Sequence, residues 1–127
     1  VFLKGEISQS QGLILPGGMP GAQNLYLHEG LRKSLIAHNM RETLIAAICA
    51  APIVLGRRDL LNGRRATCYP GFEDEQHGAH IVNERVCEDG HIITARGPGC
   101  VNDFAFAIAA RFVDSATLSR VKSDMLL

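Results

Sequence analysis

The run Thr43-Leu44-Ile45, continuing through Ala46-Ala47-Ile48-Cys49-Ala50-Ala51-Pro52, constrains this chain more than any other stretch. A short apolar run bounded by turn residues reads as a buried strand. The small residues after it read as a tight turn into a helix, the arrangement that holds a nucleophile exposed at the end of a sheet strand. Such a turn crowds backbone around the side chain at its apex, so the neighbours must be small, and alanines flank Ile48-Cys49 on both sides. A helix starting at the cysteine would set its thiol against free N–H groups and the positive end of the dipole, favouring the thiolate and lowering the pKa. The competing reading is that cysteine in an apolar stretch is a small buried hydrophobe.

A second apolar run, Leu13-Ile14-Leu15, breaks into Pro16-Gly17-Gly18 and then Met19-Pro20-Gly21. Glycines after a strand let backbone approach a ligand, and an N–H in such a turn can face a developing negative charge. The Gly18 and Ala50 N–H groups together would form a two-donor oxyanion hole beside Cys49. By itself a Gly-Gly pair most often only reverses the chain.

The remaining elements alternate, as in an α/β protein. Leu27, Leu31 and Leu35, with Ile36, predict one helical face between the glycine turn and the cysteine strand. Leu60-Leu61-Asn62-Gly63 reads as a helix end capped by glycine, followed by a short strand over Arg65-Ala66-Thr67-Cys68. Glu73 to Gly78 is polar and reads as loop or a short helical turn. Asp89-Gly90 between Arg85-Val86-Cys87-Glu88 and His91-Ile92-Ile93-Thr94 is a hairpin signal. Phe104, Ile108 and Phe112 mark a helix packed on the sheet, and Ser115 caps a last helix carrying Leu118, Val121 and Met125.

Composition narrows the function classes. With 127 residues, 46% of them hydrophobic, the chain can bury one core and reads as one domain over residues 1–127, with no stretch long and apolar enough to span a membrane. Thirteen basic residues balance thirteen acidic ones, so no field steers the surface toward nucleic acid or anionic membrane. The paired arginines Arg57-Arg58 and Arg64-Arg65 read as solvated. Cys49, Cys68, Cys87 and Cys100 lack Cys-x-x-Cys spacing, and no secretory segment precedes them, which favours reduced thiols in a cytoplasm. His77 and His80 have no matching cysteine or histidine pair, so no metal site is expected. Cys100 could resolve an oxidised Cys49, but a small residue at a helix start explains it more simply.

Three segments resemble the ThiJ/PfpI superfamily and its DJ-one branch, the Parkinson disease protein deglycase family. They are Leu15-Pro16-Gly17-Gly18 with Gly21-Ala22-Gln23-Asn24-Leu25, Leu44 to Pro52, and Asp89-Gly90-His91-Ile92-Ile93-Thr94-Ala95-Arg96-Gly97-Pro98-Gly99. The resemblance implies a flavodoxin-like α/β fold, also described as class I glutamine amidotransferase-like, a three-layer sandwich with a mostly parallel sheet. It further implies a homodimer, Cys49 as the reactive thiol, the Gly18 and Ala50 amides beside it, and a pocket lined by Gly17, Tyr69, Gly97 and Pro98. In the family a glutamate on the first strand-to-helix loop partners the cysteine. This chain opens on Val1 and reaches its first motif almost at once, so it reads as a fragment without the amino-terminal third that would carry that glutamate, with low activity as written. The elbow strand would then lie beside an unpaired edge. Tyr69 stands where many members carry a histidine, which weakens a Cys-His mechanism.

Two functions from different classes follow. One is a cofactor-independent glyoxalase III or deglycase acting on reactive carbonyls: methylglyoxal, or its adducts on a protein or nucleotide. The other is a redox sensor or holdase chaperone in which Cys49 oxidises. A PfpI-type peptidase is a weaker third, because no histidine adjoins Cys49 in sequence.

Overall fold

The computed structural model describes residues 10–127; Val1 and the opening segment read as the start of a fragment lie outside the described residues. Four strands, β1 (Gly12–Leu15), β2 (Leu44–Ile48), β5 (Val86–Asp89) and β6 (Ile92–Ala95), form one sheet in the order β1-β2-β6-β5. The pairs β1–β2 and β2–β6 are parallel, and β5–β6 is the antiparallel hairpin expected at Asp89-Gly90. β3 (Arg65–Ala66) and β4 (His80–Ile81) make a separate two-stranded parallel ladder.

All five residues of β2 are buried, which a central parallel strand covered on both faces requires. Ile45 and Ala47 face a core shared with α1 (Gly21–Leu27), α2 (Glu29–Arg41) and α3 (Pro52–Gly56), through Ala22, Leu31, Leu35 and Ile53. Leu44, Ala46 and Ile48 face the other core, with Ile93, Ala95 and Phe104 of α4 (Val101–Ala109). Helices on both faces of a mostly parallel sheet give the expected three layers. A last helix, α5 (Ser115–Asp124), buries none of its residues.

Several local expectations need correction. The predicted single face of Leu27, Leu31 and Leu35 is two helices, because His28 is extended between α1 and α2 and its Nδ1 accepts the Leu31 N–H at 3.1 Å. That cap resets the helical phase, leaving Leu27 exposed while Leu31, Ser34, Leu35 and His38 form the buried face. α3 ends at Gly56, well before Gly63; Gly63 instead turns the chain at φ 76° and its N–H donates to Gly78 O at 2.9 Å. The strand at Arg65 stops at Ala66 because the Thr67 N–H donates to the buried Thr94 Oγ1 at 2.9 Å. Asp114, one residue before Ser115, caps α5, its carboxylate accepting the Thr117 N–H at 2.7 Å. The elbow strand is interior, with partners on both sides; among the described residues the sheet's edges are β5 and β1, and it is β1, where Ile14 is exposed, that lies beside the elbow strand.

The arginine pairs are not simply solvated. The Arg57 and Arg58 guanidinium groups lie 5.0 and 4.5 Å from the Tyr26 ring centroid, and Arg57 also pairs with Glu75 at 2.9 Å. Arg64 reaches across to Asp89 at 3.4 Å. Among the described residues no helix is long and apolar enough to cross a membrane.

Candidate active site

The turn after β2 is built around a strained residue. Cys49 has φ 65°, in the left-handed region that L side chains avoid at a cost of about 1–2 kcal/mol. It is held there from both sides: its N–H donates to Ala95 O at 2.9 Å, and its carbonyl accepts the Tyr69 N–H at 2.8 Å. The first bond continues the β2–β6 ladder one residue past the strand, and the second ties the turn to the segment after β3. Ala51 N–H then returns to Ile48 O at 3.1 Å, closing the turn.

The helix does not start at the cysteine. Cys49, Ala50 and Ala51 form the turn, and α3 begins at Pro52 and runs only to Gly56. A residue at φ 65° cannot sit inside a right-handed helix, while the fixed φ of proline suits the first helical position. The helix-dipole argument for a thiolate therefore loses its geometric basis. Cys49 is partly buried against the core that holds Ile48, Ala95 and Cys100. Among the described residues its thiol has no hydrogen-bond partner.

Gly17 is glycine because Cys49 leaves it no space. A Cβ at Gly17 would stand 2.6 Å from Cys49 Cβ, 2.8 Å from Ile48 O and 3.4 Å from Ala50 N. Gly18, next in the chain, has φ 92°, and its carbonyl accepts the Ala22 N–H at 2.9 Å to launch α1. Among the described residues the N–H groups of Gly18 and Ala50 have no acceptor. Two free amide donors thus flank the close approach of Gly17 to Cys49.

Tyr69 and Gly97 meet on the other side. A Cβ on Gly97 would be 3.4 Å from Tyr69 Cδ2, and the Tyr69 ring packs edge-on to Phe72 with centroids 6.5 Å apart. Pro98 follows in the 3-10 turn Pro98–Cys100, exposed. The structure therefore gathers Gly17, Tyr69 and Gly97 around the Cys49 turn, with Gly18, Ala50 and Pro98 as their immediate chain neighbours. Cys100 is buried at the start of α4, the structural place expected of it. Burial pushes the Cys68 thiol up to about 11, with Glu73 adding to the effect, so it is neutral near pH 7.

Two positioning residues were not anticipated. Thr94 is buried in β6, and its hydroxyl fixes Thr67 and hence the path to Tyr69. Arg85 donates to Gly99 O at 2.5 Å and to Asp103 at 2.9 Å, fastening the Gly97-Pro98 loop to α4. A threonine in an apolar β pattern and an arginine before a hairpin have ordinary local explanations, so neither stood out. Among the described residues no group of three or more His, Cys, Asp or Glu side chains could hold a metal ion.

The profile of the DJ-1/PfpI family matches residues 4–111. The chain is 36% identical over 118 residues to the Danio rerio protein named Parkinson disease protein 7 homolog, covering 91% of this chain and 62% of that protein. It is 30% identical over 115 residues to the isonitrile hydratase of Pseudomonas putida, covering 89% and 50%. The chain thus spans less than two thirds of either relative. Among solved structures, a DJ-1 superfamily protein from Salmonella typhimurium matches with a TM-score of 0.89 at 31% identity, over 95% of this chain and 68% of the other. Drosophila melanogaster DJ-1beta matches at 0.88 and 30%, over 95% and 67%. These likenesses identify the layered sheet as the flavodoxin-like α/β fold. With the glycine turn, the strained cysteine and the hairpin motif in one architecture, the chain belongs to the DJ-1/PfpI family.

Proposed function

We propose that this chain provides the nucleophilic part of a cysteine-dependent enzyme acting on reactive carbonyls, with glyoxalase III or deglycase chemistry. The observation that carries this reading is Cys49 at φ 65° beside two amide N–H groups, those of Gly18 and Ala50, that have no acceptor among the described residues. Strain of this kind persists where surrounding structure over-determines it, and it clusters at reactive sites. An enzyme among the relatives, the isonitrile hydratase, supports a catalytic rather than a purely structural use of the fold.

On this reading the Cys49 thiolate adds to the aldehyde carbon of methylglyoxal, forming a C–S bond and moving the carbonyl pair onto oxygen. The Gly18 and Ala50 N–H groups donate to that oxyanion. A proton then moves from the former aldehyde carbon to the neighbouring ketone carbon, giving a lactate thioester. Water attacks the thioester, the C–S bond breaks, and lactate leaves with the thiol restored. For the proton transfers the family resemblance implies a glutamate; no carboxylate among the described residues hydrogen-bonds Cys49. The homodimer implied by the same resemblance, and the cytoplasmic location that the cysteine pattern favours, belong to this proposal.

Conversion of methylglyoxal to lactate by the full-length protein tests it against a Cys49→Ser variant. A loss of at least about 100-fold in kcat/KM is expected from removing a covalent nucleophile. Turnover no faster than the variant's would overturn the enzyme reading and leave Cys49 oxidation, followed by mass spectrometry, as the property to measure.

A further inference from the structure

Close in the chain to the cysteine turn lies a cavity that the carbonyl chemistry does not use. Its volume is about 300 Å³, and Thr67, Cys68, Glu73, Asn83 and Arg96 line it, with Ile81 and Val82 as its apolar part. It adjoins the elbow through the chain: Cys68 precedes Tyr69, whose N–H bonds Cys49 O, and Arg96 precedes Gly97, which abuts the Tyr69 ring.

The charges in this cavity are opposite and do not meet. Glu73 accepts the Gly71 N–H at 2.7 Å, and Arg96 donates to Asn83 Oδ1 at 2.7 Å. Among the described residues neither enters an ion pair, with the other or with any third group. Each is nonetheless anchored. The Glu73–Glu75 turn is fixed by the two-point pairing of Arg57 with Glu75 at 2.9 and 3.2 Å, and the Arg96 N–H donates to Arg85 O at 3.0 Å. The neutral Cys68 thiol adds no charge between them. The cavity is open at Glu73, which is exposed, while Arg96 is half-buried; one anion and one cation on anchored backbone, each with spare hydrogen-bonding capacity, are complementary to a ligand carrying both charges.

We propose that this cavity binds a zwitterionic ligand the size of an α-amino acid, its carboxylate on Arg96, its ammonium on Glu73 and a small apolar side chain against Ile81 and Val82. A ligand with one charge would leave the other protein group unpaired in the cavity, so discrimination follows from the pair rather than from either residue.

Isothermal titration at pH 7 with L-valine, isobutylamine and isovalerate tests this, since the last two each lack one of valine's charges. L-valine is expected to bind saturably and at least about tenfold more tightly than either analogue. In Arg96→Gln the advantage over isobutylamine is expected to vanish, and in Glu73→Gln the advantage over isovalerate. Absence of saturable L-valine binding, or equal affinity for the three ligands, would overturn the proposal. If either variant fails to fold, the three-ligand comparison on the unaltered protein still decides. The titration reads binding alone, so it stands apart from the reading of Cys49 as a nucleophile.

Discussion

The two ends of the β2–β6 pair solve the same backbone problem in opposite ways. At the hairpin end the chain turns through Gly90 at φ 59°, and at the elbow end through Cys49 at φ 65°. The hairpin uses the residue that adopts this conformation at no steric cost. It is also closed over by charge: Arg64 Nη1 lies 3.3 Å from Asp89 O, and Arg111 donates to Gly90 O at 2.9 Å and to Glu88 at 3.0 Å. The elbow uses a cysteine where glycine would be easier, and among the described residues it leaves the Gly18 and Ala50 N–H groups without acceptors. One turn is optimised for stability, and the other keeps strain and open donors where a reactive side chain sits.

Gly17→Ala strikes the elbow hardest. The new methyl group would lie 2.6 Å from Cys49 Cβ and 2.8 Å from a backbone carbonyl, neither of which can swing aside. Overpacking of this kind is expected to cost about 2–3 kcal/mol, read as a lower urea midpoint at constant m-value. Stability equal to wild type would show that the elbow has slack and that Cys49 is not locked by its neighbours.

A smaller effect separates the two turns directly. Cys49→Gly should be more stable than Cys49→Ala by about 1 kcal/mol, because glycine relieves the left-handed strain that alanine retains. Gly90→Ala should lose about 1–2 kcal/mol for the same reason in reverse. Arg64 Nη1, only 2.9 Å from the new Cβ, can move at the end of its flexible chain, so the backbone term dominates. If glycine and alanine at position 49 gave the same urea midpoint, the turn would carry no strain and the contrast between the two ends would collapse.

What could be read from sequence divides along a similar line. The buried strand at Leu44–Ile48, the cysteine turn, the Asp89-Gly90 hairpin and the two-sided sheet all follow from short apolar runs broken by small residues, signals confined to a few neighbours. The helix start at Pro52 was missed because a positive φ at a cysteine leaves no mark in composition. The break at His28 was missed for another reason: its Nδ1 cap competes with an unbroken leucine period, and period alone favours one helix. Thr94 and the Glu73–Arg96 cavity depend on segments 27 and 23 residues apart meeting in space, which no local pattern encodes. The site's backbone frame was legible, while its supporting side chains were not.

The hairpin end should also carry a small pH dependence that the elbow end lacks a histidine to provide. Burial, together with the positive charge of Arg64 and Arg111, holds His91 below its ordinary 6.5, against the opposing pull of Glu42 and Asp89. The folded protein therefore takes up the imidazole proton less readily than the unfolded chain, so the neutral form is the one the fold favours. Its contribution is fully present above about pH 6.5 and is lost as pH falls through the lower folded value. His91 Nε2 and Asn39 Oδ1 lie 2.8 Å apart, so glutamine can replace the ring with a polar group that keeps a bond to Asn39 but does not titrate. Urea midpoints at pH 7.5 and pH 5 should fall further for wild type than for His91→Gln, the difference isolating the imidazole from the carboxylates common to both. An equal fall in the two proteins would mean that His91 protonates as easily folded as unfolded, and that the charged cover over Gly90 leaves the ring open to water.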